Sequence, residues 1–346
     1  MYSFLNDYSE GAHPRILDAL YKLNDEQNIG YGEDDHCRRA KEAIKRHISR
    51  DDVDIHFIPG GTQANQLVVS SFLRPHECVI AVDSGHINVH ETGAIEATGH
   101  KVVIMPHKDG KLTPDSIEKI IRYHSDEHMV KPGMVYLSNT TELGTIYSKA
   151  ELIAIRDICN KYGLLLFLDG ARLGSALTCD SNDVKISDIA YLTDVFSIGG
   201  TKNGALLGEI LVITRDNLKE DFRYLIKQRG AMMAKGFVLG IQFEELFRDN
   251  LYFSLAKHAN EMAKRIAETI KNYGCYFYAT PGTNQLFPIM SNTLLKELSK
   301  EFQFMIDHEI DDNYCVIRLV TSWATSEESV DKLCEFIGGF YADQNK

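Results

Sequence analysis

The sequence has no C-x-x-C pair, no excess of positive charge, and no uncharged run approaching the about 20 residues that a membrane span needs. Each absence excludes something. Seven cysteines (Cys37, Cys78, Cys159, Cys179, Cys275, Cys315 and Cys334) are scattered without metal-type spacing and read as reduced, mostly structural thiols. With 37 basic against 49 acidic side chains, a net charge of −12, nothing draws the chain to nucleic acid or an anionic membrane. The start, MYSFLNDYSEGAHP, has no basic region followed by an apolar stretch, so a soluble cytoplasmic protein is expected. No low-complexity linker and no internal repeat interrupts the 346 residues, enough for a large core and a smaller domain packed closely against it.

What is present is an alternation. Apolar runs of strand length (DIHFIP, CVIAVD, KVVIMP, MVYLS, LLLFLD, DVFSIG and EILVI) recur through the first two-thirds of the chain, separated by helical patterns. One pattern opens at about Thr62; another, SKAELIAIRDICNKYG, sets Leu152, Ile153, Ile155 and Ile158 near helical spacing and stops at Gly163. Near-continuous apolar runs suit strands covered on both faces. An α/β domain around a largely parallel sheet is therefore predicted for residues 1–250, the first ~15 forming an N-terminal arm. Residues 251–346 read as a smaller α+β domain: a long helix SLAKHANEMAKRIAETIKNYG, a strand CYFYAT, then NQLFPIM, a helix LLKELSKEFQ and a strand YCVIRLVTS. A last helix follows Thr325, with Glu328 as its capping-box partner and Val330, Leu333, Phe336, Ile337 and Phe340 along one face.

Gly60, Gly61 and Thr62, in IPGGTQANQL, follow a strand and open a helix. Such a turn presents N–H groups and a hydroxyl to an anion at the positive end of the helix dipole. It is not the G-x-G-x-x-G dinucleotide pattern, and GGTKNG is not a P-loop, because the lysine follows threonine. Asp169 ends the run LLLFLD, which suits the carboxyl end of a sheet, where open α/β folds bind ligands, and equally suits a helix N-cap. Lys202 lies in SIGGTKNGA, where small residues let the backbone approach a planar ligand; an exposed loop lysine is the plainer alternative. A lysine amine for an aldehyde and a carboxylate for a pyridine nitrogen are what a pyridoxal phosphate enzyme needs, and Lys202 and Asp169 could supply them. His124 and His128 have i, i+4 spacing in the polar segment RYHSDEHMV, which reads as a surface turn; no metal is expected.

Taken in order, NDYSEGAHP, IGYGEDDHC, PGGTQANQ, DSGHINVHETGA, LDGARLGSAL, GGTKNG and RLVTSWATSEESVD resemble, nearly end to end, the threonine aldolase family. That family is a set of fold-type-I pyridoxal phosphate enzymes within the β-eliminating lyases and aminotransferase-like proteins. The resemblance implies that Lys202 carries the cofactor aldehyde, Asp169 pairs with the pyridinium nitrogen, and Gly61 and Thr62 hold the phosphate. It also implies that His86, in GHINVHE, stacks on the ring and has a base role, with His90 four residues on as a less certain companion. Arg172 and Arg318 match the arginines that receive the substrate carboxylate, a planar group that a guanidinium fork suits. Asn6 stands where many members have a serine and can still donate to that carboxylate. Arg229 and Lys235, in IKQRGAMMAKG, fall where members place basic residues that reach the phosphate, sometimes from the neighbouring subunit; a solvated basic face is the alternative. A homodimer or homotetramer follows from the same resemblance.

One departure bears on the reaction. The family often shows E-N-T-H, its histidine near the substrate hydroxyl; here the text is SNTTELGTIY, with Thr141 or Glu142 at about that place. The expected activity is aldol cleavage of β-hydroxy-α-amino acids, threonine or allo-threonine giving glycine and acetaldehyde, with His86 or Glu142 taking the hydroxyl proton. The same cofactor site could serve β-elimination, transamination or racemisation. A protein that binds the cofactor or a partner without turnover is a further alternative, against which Lys202, Asp169 and both arginines argue.

Overall fold

All seven apolar runs become strands of one sheet in a computed structural model that describes residues 1–344. Across the sheet the order is Asp54–Ile58, Glu209–Ile213, Val195–Gly199, Leu165–Asp169, Lys131–Ser138, Glu77–Val82 and Lys101–Met105. Glu209–Ile213 runs antiparallel to both neighbours, and every other pair is parallel. The near-continuous apolar runs have their predicted cause: alternate residues of one strand enter two different cores. Cys78, Ile80 and Val82 pack on one side, Val79 and Ala81 on the other. Fully burying a valine or isoleucine such as Val79 or Ile80 is worth about 1.5–3 kcal/mol, so the sheet tolerates little charge away from its ends.

The register fixes where the ends fall. Ser138 pairs with Asp169, so two adjacent parallel strands finish side by side and present polar residues at their carboxyl ends. Helix Lys149–Tyr162 returns the chain between them, capped by Ser148 and Glu151 and ended by Gly163 at φ 67°. Its inner face is Leu152, Ile155 and Ile158; Ile153, expected with them, is 41% exposed because it falls on the next face of the turn.

The last hundred residues build a separate core. Strand Tyr314–Val320 pairs with Ile289–Ser291, Met305–Glu309 and Gln285–Leu286. Helices Leu251–Asn272 and Glu327–Gln344 cover it, through Ile266, Ile270, Val330, Leu333 and Ile337 among others. Phe4 belongs to this core and is wholly buried, and strand Tyr2–Ser3 pairs with Phe302–Gln303. The N-terminal arm is thus fixed to the C-terminal unit, and it carries residues 5–8 toward the ends of the large sheet.

Three local expectations are corrected. CYFYAT forms no strand, only an isolated bridge from Phe277 to Pro288, and Tyr276 and Tyr278 are exposed. Strand Met305–Glu309 was not foreseen, since all five of its residues are exposed and give no apolar run. At the last helix Ser326, not Thr325, accepts from the first turn, through the Ser329 N–H; Glu328 pairs instead with Lys332. The seven cysteines are free, five of them buried. Among the described residues no helix is long and apolar enough to cross a membrane.

Candidate active site

A cavity of about 360 Å³ opens at the carboxyl ends of the central strands. It is lined by Gly60, Gly61, Thr62, His86, Glu142, Asp169, Arg172 and Lys202, so residues spread over more than 140 positions of sequence meet in one place. A second groove, about 450 Å³ along helix Leu251–Asn272, carries lysines interleaved with carboxylates and gathers no comparable set.

Asp169 is buried and held from four directions. Oδ2 accepts from the Tyr136 hydroxyl at 2.7 Å and Asn65 Nδ2 at 3.1 Å; Oδ1 accepts from the Ala171 N–H at 2.9 Å and Ser197 Oγ at 3.4 Å. Burial pushes this carboxyl up, but His86, the Tyr136 hydroxyl, Lys202 and the Ala171 N–H outweigh it and hold it below the ordinary aspartate range. It is therefore an ionised carboxylate at neutral pH. Asn65 extends the network, donating also to Glu91 Oε1 at 2.7 Å; the same oxygen bonds His86 Nδ1 at 2.7 Å. That bond orients the His86 ring, while Glu91 is sealed from solvent.

Lys202 follows strand Val195–Gly199, and its amine makes no hydrogen bond or ion pair with any described residue. Burial, then the Arg172 guanidinium, holds the amine below the ordinary lysine range against the pull of Asp7, Glu209 and Asp169. Opposite it, helix Gly61–Phe72 starts at Gly60 without a side-chain cap, and the Gly61 and Thr62 N–H groups find no acceptor among the described residues. A Cβ built at Gly60 or Gly61 would meet nothing within 4 Å, so the turn faces open space. Free N–H donors at a helix start beside open space make an anion site.

On the other wall Asp7, 1% exposed, grips Arg172: Nε donates at 2.7 Å and Nη2 at 3.0 Å, with Asn284 adding a third bond at 2.9 Å. Burial raises Asp7, yet Arg172 and Lys202, with the hydrogen bonds from Arg172 and Asn284, bring it below the ordinary range. Arg318 is half-buried on strand Tyr314–Val320 and donates to the Leu5 carbonyl at 3.3 Å, while its Nε has no partner among the described residues. Burial and the neighbouring Arg172 both disfavour its charge. Arg172 lines the cavity, whereas Arg318 and Asp7 are not part of the lining; two guanidiniums against one buried carboxylate leave this side short of an anion.

Glu142 sits between the walls. Oε1 accepts from Ser138 Oγ at 2.6 Å and from the His86 N–H at 2.9 Å; Oε2 is buried without a partner among the described residues. Burial raises its pKa, with Asp169 adding to the rise and Ser138 and the His86 N–H opposing it. Thr141 does not serve as an alternative donor to the cavity, since its hydroxyl bonds Thr145 Oγ1 at 2.7 Å.

Other sequence candidates fall elsewhere. Asn6 turns back on its own loop, accepting from the Tyr8 N–H at 2.9 Å and Ser9 Oγ at 3.0 Å, and does not line the cavity; Asp7 beside it takes the buried position. The His90 ring lies 5.5 Å from that of His86, tilted by 55°, and is not part of the lining. Arg229 and Lys235 are exposed, and the Arg229 carbonyl accepts from Gln63 Nε2 of helix Gly61–Phe72 at 3.0 Å. His124 is tied to its own helix through the Ile120 carbonyl, and His128 is exposed. Sequence reasoning missed Asp7, Asn65, Glu91, Tyr136, Ser138, Asn284 and Glu209. Glu209 left a trace, a charge opening the apolar strand EILVI, and Glu91 lies five residues past His86; the others gave no local signal.

The family model described as "Beta-eliminating lyase" matches residues 4–293. The low specificity L-threonine aldolase of Pseudomonas aeruginosa is 32% identical over 301 residues, 86% of this chain and 84% of that protein. A solved Leishmania major threonine aldolase superposes with a TM-score of 0.97 at 50% identity, covering 99% of this chain and 100% of that one. An aspartate aminotransferase of Thermus thermophilus, 13% identical with a TM-score of 0.74 over 99% of this chain and 91% of its own, shares the fold alone, the fold-type-I arrangement that was expected. With the match spanning both the sheet and the cavity it supports, the chain belongs to the beta-eliminating lyase family.

Proposed function

We propose that the protein is a pyridoxal phosphate-dependent carbon–carbon lyase that splits β-hydroxy-α-amino acids, threonine and allo-threonine, into glycine and an aldehyde. The observation that carries this reading is the Lys202 amine, unpartnered among the described residues, in a cavity whose floor is the ionised Asp169. The residues fit the cofactor: Lys202 for its aldehyde, Asp169 for its ring nitrogen, the uncapped Gly60–Thr62 turn for its phosphate and the His86 imidazole for its ring. The relatives named as threonine aldolases support the substrate class.

When bound, pyridoxal phosphate supplies an aldehyde that captures the substrate amine and a ring that accepts the electron pair of the breaking Cα–Cβ bond. The chain does the rest. Asp169, kept charged by its donors, holds a proton on the ring nitrogen. Arg172 and Arg318 take the substrate carboxylate, which supplies the anion their wall lacks, while Asp7 fixes the Arg172 fork in place. Glu142 is the base at the substrate hydroxyl: the proton passes from that oxygen to Glu142 as the carbon–carbon bond opens and the leaving fragment becomes an aldehyde. A raised pKa suits this task, because a carboxylate that is costly to keep charged accepts a proton readily.

Purified protein incubated with L-threonine, L-allo-threonine and L-serine is expected to release glycine and the matching aldehyde. Ammonia and a keto acid instead would overturn the aldolase reading. The protein should be yellow, its visible band lost on borohydride treatment, and Lys202→Ala should abolish that lysine-bound band; a variant that kept it would overturn the assignment of Lys202. We also read the protein as a cytoplasmic homodimer or homotetramer with domains at 1–250 and 251–346. In that assembly the exposed Arg229 and Lys235 would approach the phosphate of a neighbouring copy.

A further inference from the structure

Glu209 is the one acid in the cavity without a part in this scheme. It opens strand Glu209–Ile213 and is 6% exposed. Its backbone pairs with Ile58 on one side and Gly199 on the other, so its side chain stands between the Pro59–Thr62 turn and the loop bearing Lys202. Oε2 accepts from the Gly200 N–H at 3.3 Å. No cation lies within ion-pair distance of it among the described residues, whereas most other buried acids in the molecule have one or a dense set of donors.

An acid in that position faces a problem of charge. The turn beside it is built for an anion, and two anions in contact inside a low-dielectric cavity repel strongly unless one carries a proton. Resting on the pyridoxal phosphate reading, we propose that Glu209 binds the cofactor as a neutral carboxylic acid, donating its proton in a hydrogen bond to the phosphate seated on Gly61 and Thr62. It would thereby make cofactor retention depend on pH.

The surroundings favour the protonated form. Burial pushes the Glu209 carboxyl up to about 7, with Lys202 and the Thr201 hydroxyl drawing it down and Asp169 pushing it further up. Among the described residues the other elements packed there add no charge, and Arg229 and Lys235 of a neighbouring copy would approach the phosphate alike in wild type and Glu209→Gln. The turn is Pro59, Gly60, Gly61 and Thr62; helix Phe237–Phe247 presents Leu239 and Phe243 to Gly208 and Gln242 to the Leu206 and Leu207 N–H groups; helix Leu251–Asn272 contributes the Tyr252 phenol. The sign follows. The form that binds is the protonated one, so a bound phosphate raises the pKa above its free value. Affinity is then full below about pH 7 and declines as pH rises through the free value toward the bound one.

The test is cofactor binding rather than turnover. Apoprotein of wild type and Glu209→Gln is titrated with pyridoxal phosphate from about pH 6 to about pH 9 and read by the visible lysine-bound band. Glutamine keeps the shape, can accept from Gly200 and always has a proton to donate. Relative to Glu209→Gln, wild-type affinity is expected to fall by up to about tenfold per pH unit above neutrality. Pyridoxal, which has no phosphate, should show no such difference between the two proteins. A second measurement needs no variant: the phosphorus NMR shift of the bound cofactor in wild type should report a titration in the same window. Parallel curves for wild type and Glu209→Gln, the same difference with pyridoxal, or a flat phosphorus shift would each overturn the role of Glu209 while leaving the cofactor reading intact. Wild type that forms no lysine-bound band at any pH would overturn the cofactor reading itself, and this proposal with it.

Discussion

At the floor of the cavity Asp169 accepts from Tyr136, Asn65, Ala171 and Ser197, whereas at its side Glu142 accepts from Ser138 and the His86 N–H and leaves Oε2 with no partner among the described residues. Both carboxyls are buried, yet burial wins only at Glu142. Donors and nearby positive charge bring Asp169 below its ordinary range, while two donors on a single oxygen leave Glu142 above its own. Depth alone does not set the charge of a buried acid; the donors aimed at it do. The difference matches the work assigned to each, a fixed charge at the cofactor and a proton acceptor at the substrate.

The comparison breaks most visibly at Asp169. Asp169→Asn should leave the chromophore on Lys202 but lower kcat by about a thousandfold, because the fixed charge is lost and an amide N–H faces donors. Retention of near-normal kcat would mean that this charge is not needed. Glu142→Gln should cost kcat at least about a hundredfold with little change in cofactor affinity, and should remove the acidic limb of the pH profile. The sign follows from its role: the base works as a carboxylate, so activity falls as pH drops through a raised pKa. An unchanged acidic limb in this variant would assign the proton to His86.

Smaller changes sharpen the contrast. Tyr136→Phe strips the 2.7 Å donor from Asp169 and should destabilise the fold by about 1.5–3 kcal/mol in urea denaturation, the usual scale for a hydrogen bond to a buried charge. Ser138→Ala removes the 2.6 Å donor from Glu142 and should move the acidic limb upward by less than about one pH unit. A downward shift would contradict the assignment of that limb to Glu142.

The groups differ in how far sequence exposed them. Lys202, Asp169, Gly61 and Thr62 each stand at the end of an apolar run or the start of a helix, so strand pattern alone places them at the carboxyl edge of a parallel sheet. Glu142 was suggested only as the occupant of a position where a histidine was expected. Asp7 was passed over for Asn6, because residues in an arm have no periodicity to say which side chain turns inward; that depended on Phe4 entering the C-terminal core. CYFYAT misled in the opposite way, its aromatic alternation resembling a strand although Tyr276 and Tyr278 remain exposed.

The sequence by itself determined the sheet and its polar ends, and it singled out Lys202, Asp169, Gly61 and Thr62, the residues proposed to face the cofactor, since these follow from apolar runs and helix starts that are local properties of the chain. Only the tertiary structure decided the state of each charge. Asp169 meets Asn65 and Tyr136, Arg172 meets Asp7, and Glu209 stands beside a turn 150 positions away through pairings that no local pattern encodes. Protonation depends on distances of a few ångströms between such residues, and folding alone sets them.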